Sequence, residues 1–274
     1  MEVLIKFFGS YLPAGSIADL EYSQRTMLFL VAFFGQAIGV ASYPFMARLV
    51  VEDQMQQLNQ LLNTTLRYLG LVIPFSVLLM VLRHEVILLL FQRGQFDTVA
   101  TGHTATVLIF MLVGSFAFAA NTIVPRVYYA MEDTLFPAIY GTVAVLLSLP
   151  LYLLGLKMMG ANGVALAASV SAILQVLMLY ALWNRKNRNA GRPVYFFYLK
   201  MMVFSVPLGF ILTWLKTTAL SAIDASTFFG SLSVCMIIGA VFTLILLATG
   251  YGLKIQEVTG LVDRLTAKLK IPQK

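Results

Sequence analysis

Charge is what this chain has least of: Asp, Glu, Lys and Arg make up 11% of its 274 residues, where a soluble domain carries about 25%. With 59% hydrophobic residues and a mean hydropathy of +0.85, too few polar side chains remain to clothe so many apolar runs in a water-facing surface. Cysteine is nearly absent too. The single Cys235 excludes an intramolecular disulfide and, set in an apolar run, reads as a small packing residue. Histidine is limited to His84 and His103, which stand without Cys or carboxylate at metal-ligand spacing, so neither a metal site nor a cofactor is expected. None of the twelve Asp and Glu lies in the middle of an apolar run, which argues against an intramembrane carboxylate relay. The pairs Glu52-Asp53 and Glu132-Asp133 lack a third ligand or a glycine-rich phosphate loop, and read as solvated loops rather than the centre of a metal-dependent transferase. No cleavable signal peptide is evident, because the opening MEVLIKFFGSYLPAGS has an acidic second residue and too short an apolar patch.

What the chain does have is long apolar runs. Seven are long enough to cross a hydrocarbon core of about 30 Å as helices, at 26–46, 64–82, 101–123, 135–156, 164–183, 196–215 and 228–251. They lack the alternation of barrel strands, so the predicted class is an all-α polytopic membrane protein. The net charge of +7 does not point to nucleic acid, because in such a chain the placement of Lys and Arg matters more than their sum. One set of alternate ends carries Arg48, Arg67, Arg126, the cluster NRKNRNAGR with Arg185, Lys186, Arg188 and Arg192, then Lys200, Lys254, Arg264, Lys268, Lys270 and Lys274; the other carries far fewer, with Arg83, Arg93, Lys157 and Lys216 there and Arg25 near the same side. The positive-inside rule then places the first full span running inward and the C-terminus in the cytoplasm.

Two stretches on the inner side are amphipathic: Met55, Leu58, Leu61, Leu62 and Leu66 fall at helical spacing, as do Ile255, Val258, Leu261, Val262, Leu265 and Leu269. Both read as helices lying in the membrane interface. In GANGVALAASVSA, Gly163, Ala167 and Ser171 recur at every fourth position and make a face for close helix packing. The one polar linker, 184–193, separates the last two spans from the preceding five. Arg25 is the most informative charge, since it stands at the threshold of an apolar run. It either snorkels to the outer headgroups or faces a water-filled cavity and holds an anion, for which a planar guanidinium suits phosphate or pyrophosphate.

The stretches YLPAGSIADLEYSQRTM, FFGQAIGVASYPFMARL, LLLFQRGQFDTVAT, VPRVYYAMEDTLFPAIYG and ANGVALAASVSA together resemble the C-terminal half of the MurJ (MviN) family of lipid II flippases, in the multidrug/oligosaccharidyl-lipid/polysaccharide exporter superfamily. The resemblance is close over about residues 9–183, and its specific signals are the LFQRGQF loop and the PAGS…R junction. It implies one lobe of a two-lobe exporter fold followed by two extra helices, around a cationic cavity that moves a lipid-linked peptidoglycan precursor from the inner to the outer leaflet by alternating access. It implies no enzymatic activity. It also implies that Arg25, with Gln24 beside it, contributes to holding the substrate pyrophosphate, and that the last two helices form a groove for the polyprenyl tail.

The chain departs from the family pattern in places. Many members have acidic residues just before this arginine and three positions after it, where Gln24 and Leu28 stand here; Met131, Glu132 and Leu135 replace small and basic residues of an inner loop; and Ser148 and Tyr152 occupy positions that are often polar. The expected organisation is an outer remnant of a helix and loop at 1–25, a lobe bundle at 26–183, a basic cytoplasmic linker at 184–195, the tail groove at 196–251 and an amphipathic cytoplasmic tail at 252–274. The expected partners are lipid II or a related polyprenyl-pyrophosphate saccharide, membrane lipid and a missing N-terminal lobe, in the bacterial cytoplasmic membrane. Two alternatives stand beside this: a flippase of another polyprenyl-linked saccharide, and a non-transporting membrane subunit or relic.

Overall fold

The computed structural model describes residues 2–221 and 223–252, and among them there are helices and turns but no strand. The predicted tail face from Ile255 to Leu269 lies outside the described residues. A short helix α1 (Glu2–Gly9) is followed by the PAGS turn, where Gly15 adopts φ 95°, a conformation open to glycine and strained for other residues. From there a single rod of 36 residues runs over Ser16–Val51. It consists of α2 (Ser16–Val31), a π turn (Ala32–Gln36) and α3 (Ala37–Val51). The sequence reading starts this span at residue 26; the structure starts it ten residues earlier, so Arg25 lies inside a helix of about 54 Å and not at its threshold. The expected boundary at residue 25 therefore falls within α2.

The next helices, α4 (Met55–Leu69) and α5 (Val72–Val81), form one nearly continuous span, with Gly70 at the join lying against the Phe197 ring. Here the interfacial reading of Met55 to Leu66 is corrected. Leu58, Leu62 and Leu66 are 0–3% exposed, because α3, α8 and α11 cover the apolar face of α4 and leave little of it for headgroups. After α6 (Arg83–Phe91) the LFQRGQF signature makes a tight connection: Gly94 takes φ 61°, Gln92 accepts from the Thr101 hydroxyl, and the Asp97 carboxylate caps α7 through the Ala100 amide at 2.8 Å.

The predicted span at 101–123 is not straight. Helices α7 (Thr98–Val113), α8 (Ser115–Ala120) and α9 (Val124–Ala130) form a bent span, with a 56° change of direction at Gly114. A Cβ at Gly114 would lie 2.6 Å from the Ser169 Cα, so only glycine permits this approach, and the Ser169 hydroxyl donates to the carbonyls of Phe110 and Met111 beside the bend.

The two spans predicted at 135–156 and 164–183 are the arms of α10 (Leu135–Lys186), 52 residues that would run about 78 Å if straight. They turn at Gly160 (φ 58°, ψ −129°), and the backbones of Gly155 and Gly163, about 12 Å apart along a straight helix, instead touch closely enough that a Cβ on either would collide with the other's carbonyl. The small-residue face goes where the spacing predicts: Gly163, Ala167 and Ser171 are all buried. Helices associate in lipid without a hydrophobic drive, through contacts of this kind. The last helices are α11 (Arg192–Thr218) and α12 (Phe228–Gly252). The predicted linker bounds fall inside α10 and α11, leaving a short ordered connection. Among the described residues five helices, or six with the bent pair, are long and apolar enough to cross a membrane, and α10 contributes two arms to that set.

Candidate functional site

The rod α2–π–α3 leaves one face uncovered, along which Arg25, Phe29, Phe33, Gln36, Val40 and Tyr43 are exposed. Its other face is fastened to α7: the Ser23 hydroxyl donates to the Thr104 carbonyl, and the Thr104 hydroxyl donates to Asp19, both at 2.9 Å. The orientation of Arg25 follows from that attachment. Midway along the rod, the π turn sits where Gly35 meets the Ala119 backbone and the Thr122 hydroxyl, so the local widening coincides with a close helix crossing.

The Arg25 side chain is 64% exposed, and its Nη2 stands 3.7 Å from Glu21 Oε2 one turn earlier. That separation is well beyond the 2.7–2.9 Å of a tight guanidinium–carboxylate bond. Glu21 is shared with Lys6 of α1, whose ammonium also meets Glu2, at 3.3 and 3.2 Å. The Tyr22 ring lies 5.9 Å from the guanidinium carbon. Gln24 lines the same small recess, of about 100 Å³, with Glu2, Lys6, Glu21, Arg25 and Leu28. The structure thus brings the two sequence-predicted residues together and adds an acidic partner that the family comparison at positions 24 and 28 overlooks. The i,i+4 spacing of Glu21 and Arg25 is its signal in the sequence. Chemically, the recess offers a guanidinium whose present partner is displaceable by a multivalent anion.

Eleven residues, or about 16 Å, further along the rod, Arg126 of α9 donates to Gln36 Oε1 at 3.2 Å and lies across Gly39, where a Cβ would collide with it. The other sequence candidates are structural. Ser148 donates to its own helix, and Tyr152 is fully buried, stacked on Phe8 at 5.2 Å. Glu52 pairs with Arg48 at 2.6 Å, while Asp53 and Glu132 occupy turns at φ 54° and 58°. Asp133 caps the start of α10 through the Phe136 amide and receives Lys186 at 3.0 Å, which holds its carboxyl below the usual range. Among the described residues no three His, Cys, Asp or Glu side chains converge; His103 stands 3.9 Å from Asp19.

Two polar clusters escape the sequence reading. Glu85, 3% exposed, forms a 2.7 Å ion pair with Lys216 of α11, which also donates to the Val81 carbonyl. At the basic end, Asn59 accepts from the Trp183 indole and donates to the Asn187 carbonyl, while Asn63 accepts from Tyr180 and exchanges bonds with Asn189.

A family model described as lipid II flippase MurJ matches residues 2–231. A probable lipid II flippase MurJ of Vibrio cholerae serotype O1 is 30% identical over 177 residues, covering 64% of this chain and 33% of that protein. Its counterpart in Haemophilus influenzae is 29% identical over 211 residues, covering 73% and 41%. A solved lipid II flippase MurJ in an inward closed conformation superposes with a TM-score of 0.68 at 24% identity, over 90% of this chain and 50% of that one. The chain spans about half of that solved protein and a third to two fifths of these curated relatives.

Proposed function

We propose, from the premise that this chain belongs to the lipid II flippase MurJ family, that it forms the second lobe and the two following helices of a flippase for a polyprenyl-pyrophosphate saccharide. The observation that carries the proposal is Arg25, an exposed and loosely paired guanidinium on the uncovered face of a membrane rod. A charge so placed is costly against lipid and favourable against a water-filled cavity. Arg25 binds the pyrophosphate of the lipid-linked precursor, Gln24 adds a neutral hydrogen-bonding group, and a first lobe closes the cavity from the other side. The chain works as a transporter and makes or breaks no covalent bond. Alternating access moves the headgroup between leaflets, in the bacterial cytoplasmic membrane with the basic ends and the C-terminus inward. The exposed apolar flanks of α11 and α12, including Phe210, Phe229 and Met236, suit contact with the polyprenyl tail.

The test is complementation. A cell depleted of its own flippase receives this chain together with the first lobe of a relative, and lipid II exposure on the outer leaflet is measured. Wild type restores exposure, Arg25→Ala loses most of it, and Arg25→Lys keeps an intermediate level because it retains charge without the planar fork. Full rescue by Arg25→Ala would remove Arg25 from the site. A non-transporting subunit is the second reading, favoured by the exposed Phe29, Phe33 and Val40 on the same face; it predicts stable co-purification with a partner and no rescue by any first lobe.

A further inference from the structure

An apolar pocket of about 230 Å³ lies between the second arm of α10 and α11, away from the Arg25 face. Ile173, Leu177 and Tyr180 line one side and Tyr195, Leu199 and Met202 the other; no residue of α12 takes part, so it is separate from the α11–α12 flank. Leu177, Tyr195, Leu199 and Met202 are each 39–57% exposed, so the pocket opens sideways from the bundle. Its volume is below the roughly 300–1,000 Å³ of sites that enclose drug-sized ligands, which suits a single hydrocarbon chain and excludes a saccharide headgroup.

One end of this pocket is polar and built. The Tyr180 hydroxyl donates to Asn63 at 2.7 Å, the Tyr198 hydroxyl to the Leu66 carbonyl at 2.9 Å, and the Tyr180 and Tyr195 rings meet at 5.4 Å. Tyrosines with apolar bodies and bonded hydroxyls mark headgroup depth in membrane proteins. Beyond them the chain turns through 187–191, where Asn187 and Asn189 are both bonded to α4 and Arg188 between them sits at φ 49°. Arg192 follows, on the same helical stripe as Tyr195, Leu199 and Met202. Arg185, Arg188 and Arg192 are exposed and have no acidic partner among the described residues, whereas the neighbouring Lys186 is occupied by Asp133. The asparagine network thus fixes the turn that carries Arg188 beyond the polar end of a chain-wide apolar slot, and Arg192 stands one turn before Tyr195 on the stripe that lines it.

We infer that this pocket is a binding site for an anionic diacyl phospholipid of the membrane leaflet at the basic end. One acyl chain enters between Leu177 and Leu199, and the phosphate meets Arg188 and Arg192. Basic pockets between spanning helices select anionic headgroups, and each basic residue near such a surface is worth about fivefold in affinity. A zwitterionic lipid carries the same phosphate with a cation that the arginine cluster repels. This site is independent of the transport reading, since it is read by lipid retention and not by flipping.

The experiment is native mass spectrometry of the full chain released from detergent with phosphatidylglycerol, phosphatidylcholine or undecaprenyl pyrophosphate as the added probe. Phosphatidylglycerol is expected to be retained in preference to phosphatidylcholine, and Arg188→Gln with Arg192→Gln to weaken its retention ten- to thirty-fold. These two side chains are exposed and unpaired, so the double variant folds; Leu177→Trp, which fills the slot, provides the second arm and reduces retention of both phospholipids. Equal retention of the two phospholipids, or no loss in the double arginine variant, overturns the site. Displacement of phosphatidylglycerol by equimolar undecaprenyl pyrophosphate overturns it in favour of a polyprenyl-tail pocket.

Discussion

Two ion pairs in this molecule use the same chemistry for opposite ends. Lys216 and Glu85 meet at 2.7 Å with side chains 23% and 4% exposed, whereas Arg25 and Glu21 stand at 3.7 Å with 64% and 34% exposed. The first pair joins α11 to α6 between elements that otherwise share a small apolar cluster around Leu208, Leu212 and Phe242. Its charges are satisfied and closed off. The second lies within one helix, holds no two elements together, and leaves the guanidinium open to the uncovered side. The comparison shows that an arginine in a membrane rod is not informative by its charge alone; its value as a site lies in how poorly it is already paired.

The largest expected effect breaks the first pair. Glu85→Ala leaves the Lys216 ammonium partly buried without its carboxylate, and loss of one partner of a buried pair costs about 3–5 kcal/mol. Unfolding in detergent is expected to shift by about that amount. Glu85→Leu combined with Lys216→Met removes both charges and is expected to recover most of the loss, since a well-packed apolar substitute is often neutral. If the double variant is as unstable as the single, the pair does more than neutralise itself. Arg25→Ala is the contrasting experiment. Exposed pairs contribute about 0–1 kcal/mol, so the same unfolding assay is expected to show little change while outer-leaflet exposure of lipid II falls. A large stability loss at Arg25 would erase the distinction between the two pairs.

A second test concerns neutral polar groups. Asn59, 9% exposed, satisfies the Trp183 indole and the Asn187 carbonyl at once. Asn59→Ala strands both, at about 1–3 kcal/mol for each buried unsatisfied group. It also frees the connection that positions Arg188, so phosphatidylglycerol retention is expected to fall with stability. Unchanged unfolding would mean that water replaces the amide.

Much of this architecture is legible in the sequence because the bilayer imposes a length and a hydropathy on each span. The arms of α10 and the close-packed face of Gly163, Ala167 and Ser171 follow from apolar length and from small-residue spacing. The interior of the lobe is less legible. Periodicity places Leu58, Leu62 and Leu66 on one face of α4 but does not say whether lipid headgroups or α8 and α11 cover it. The bend at Gly114 depends on Ser169, 55 positions away, and the partner of Glu85 lies 131 positions away. No local pattern encodes such meetings. At the candidate site, Arg25 and Gln24 are legible, while Lys6 is placed beside them only because α1 folds back along α2.

The smallest effect belongs to a third ion pair, and it fixes the lower end of the comparison. Asp133 joins Lys186 at 3.0 Å and caps α10 through the Phe136 amide, with the Lys186 ammonium 4.8 Å from the centre of the Phe136 ring. The Lys186 contact and the amide bond favour the ionised carboxyl and depress its pKa. Because the folded value lies below the unfolded one of about 3.9, the contribution is present in full above that value and is lost as pH falls through the folded pKa. Wild-type stability measured between neutral and strongly acid pH is therefore expected to decline slightly more than that of Asp133→Asn, which carries no titrating group at this site. The difference is expected to be far smaller than the effect of Glu85→Ala, because water competes for this pair more than for the buried one. An acid-induced loss as large as that of Glu85→Ala would show that the tie between the start and end of α10 is a structural fastening of the same rank, and that exposure alone does not sort the ion pairs of this fold.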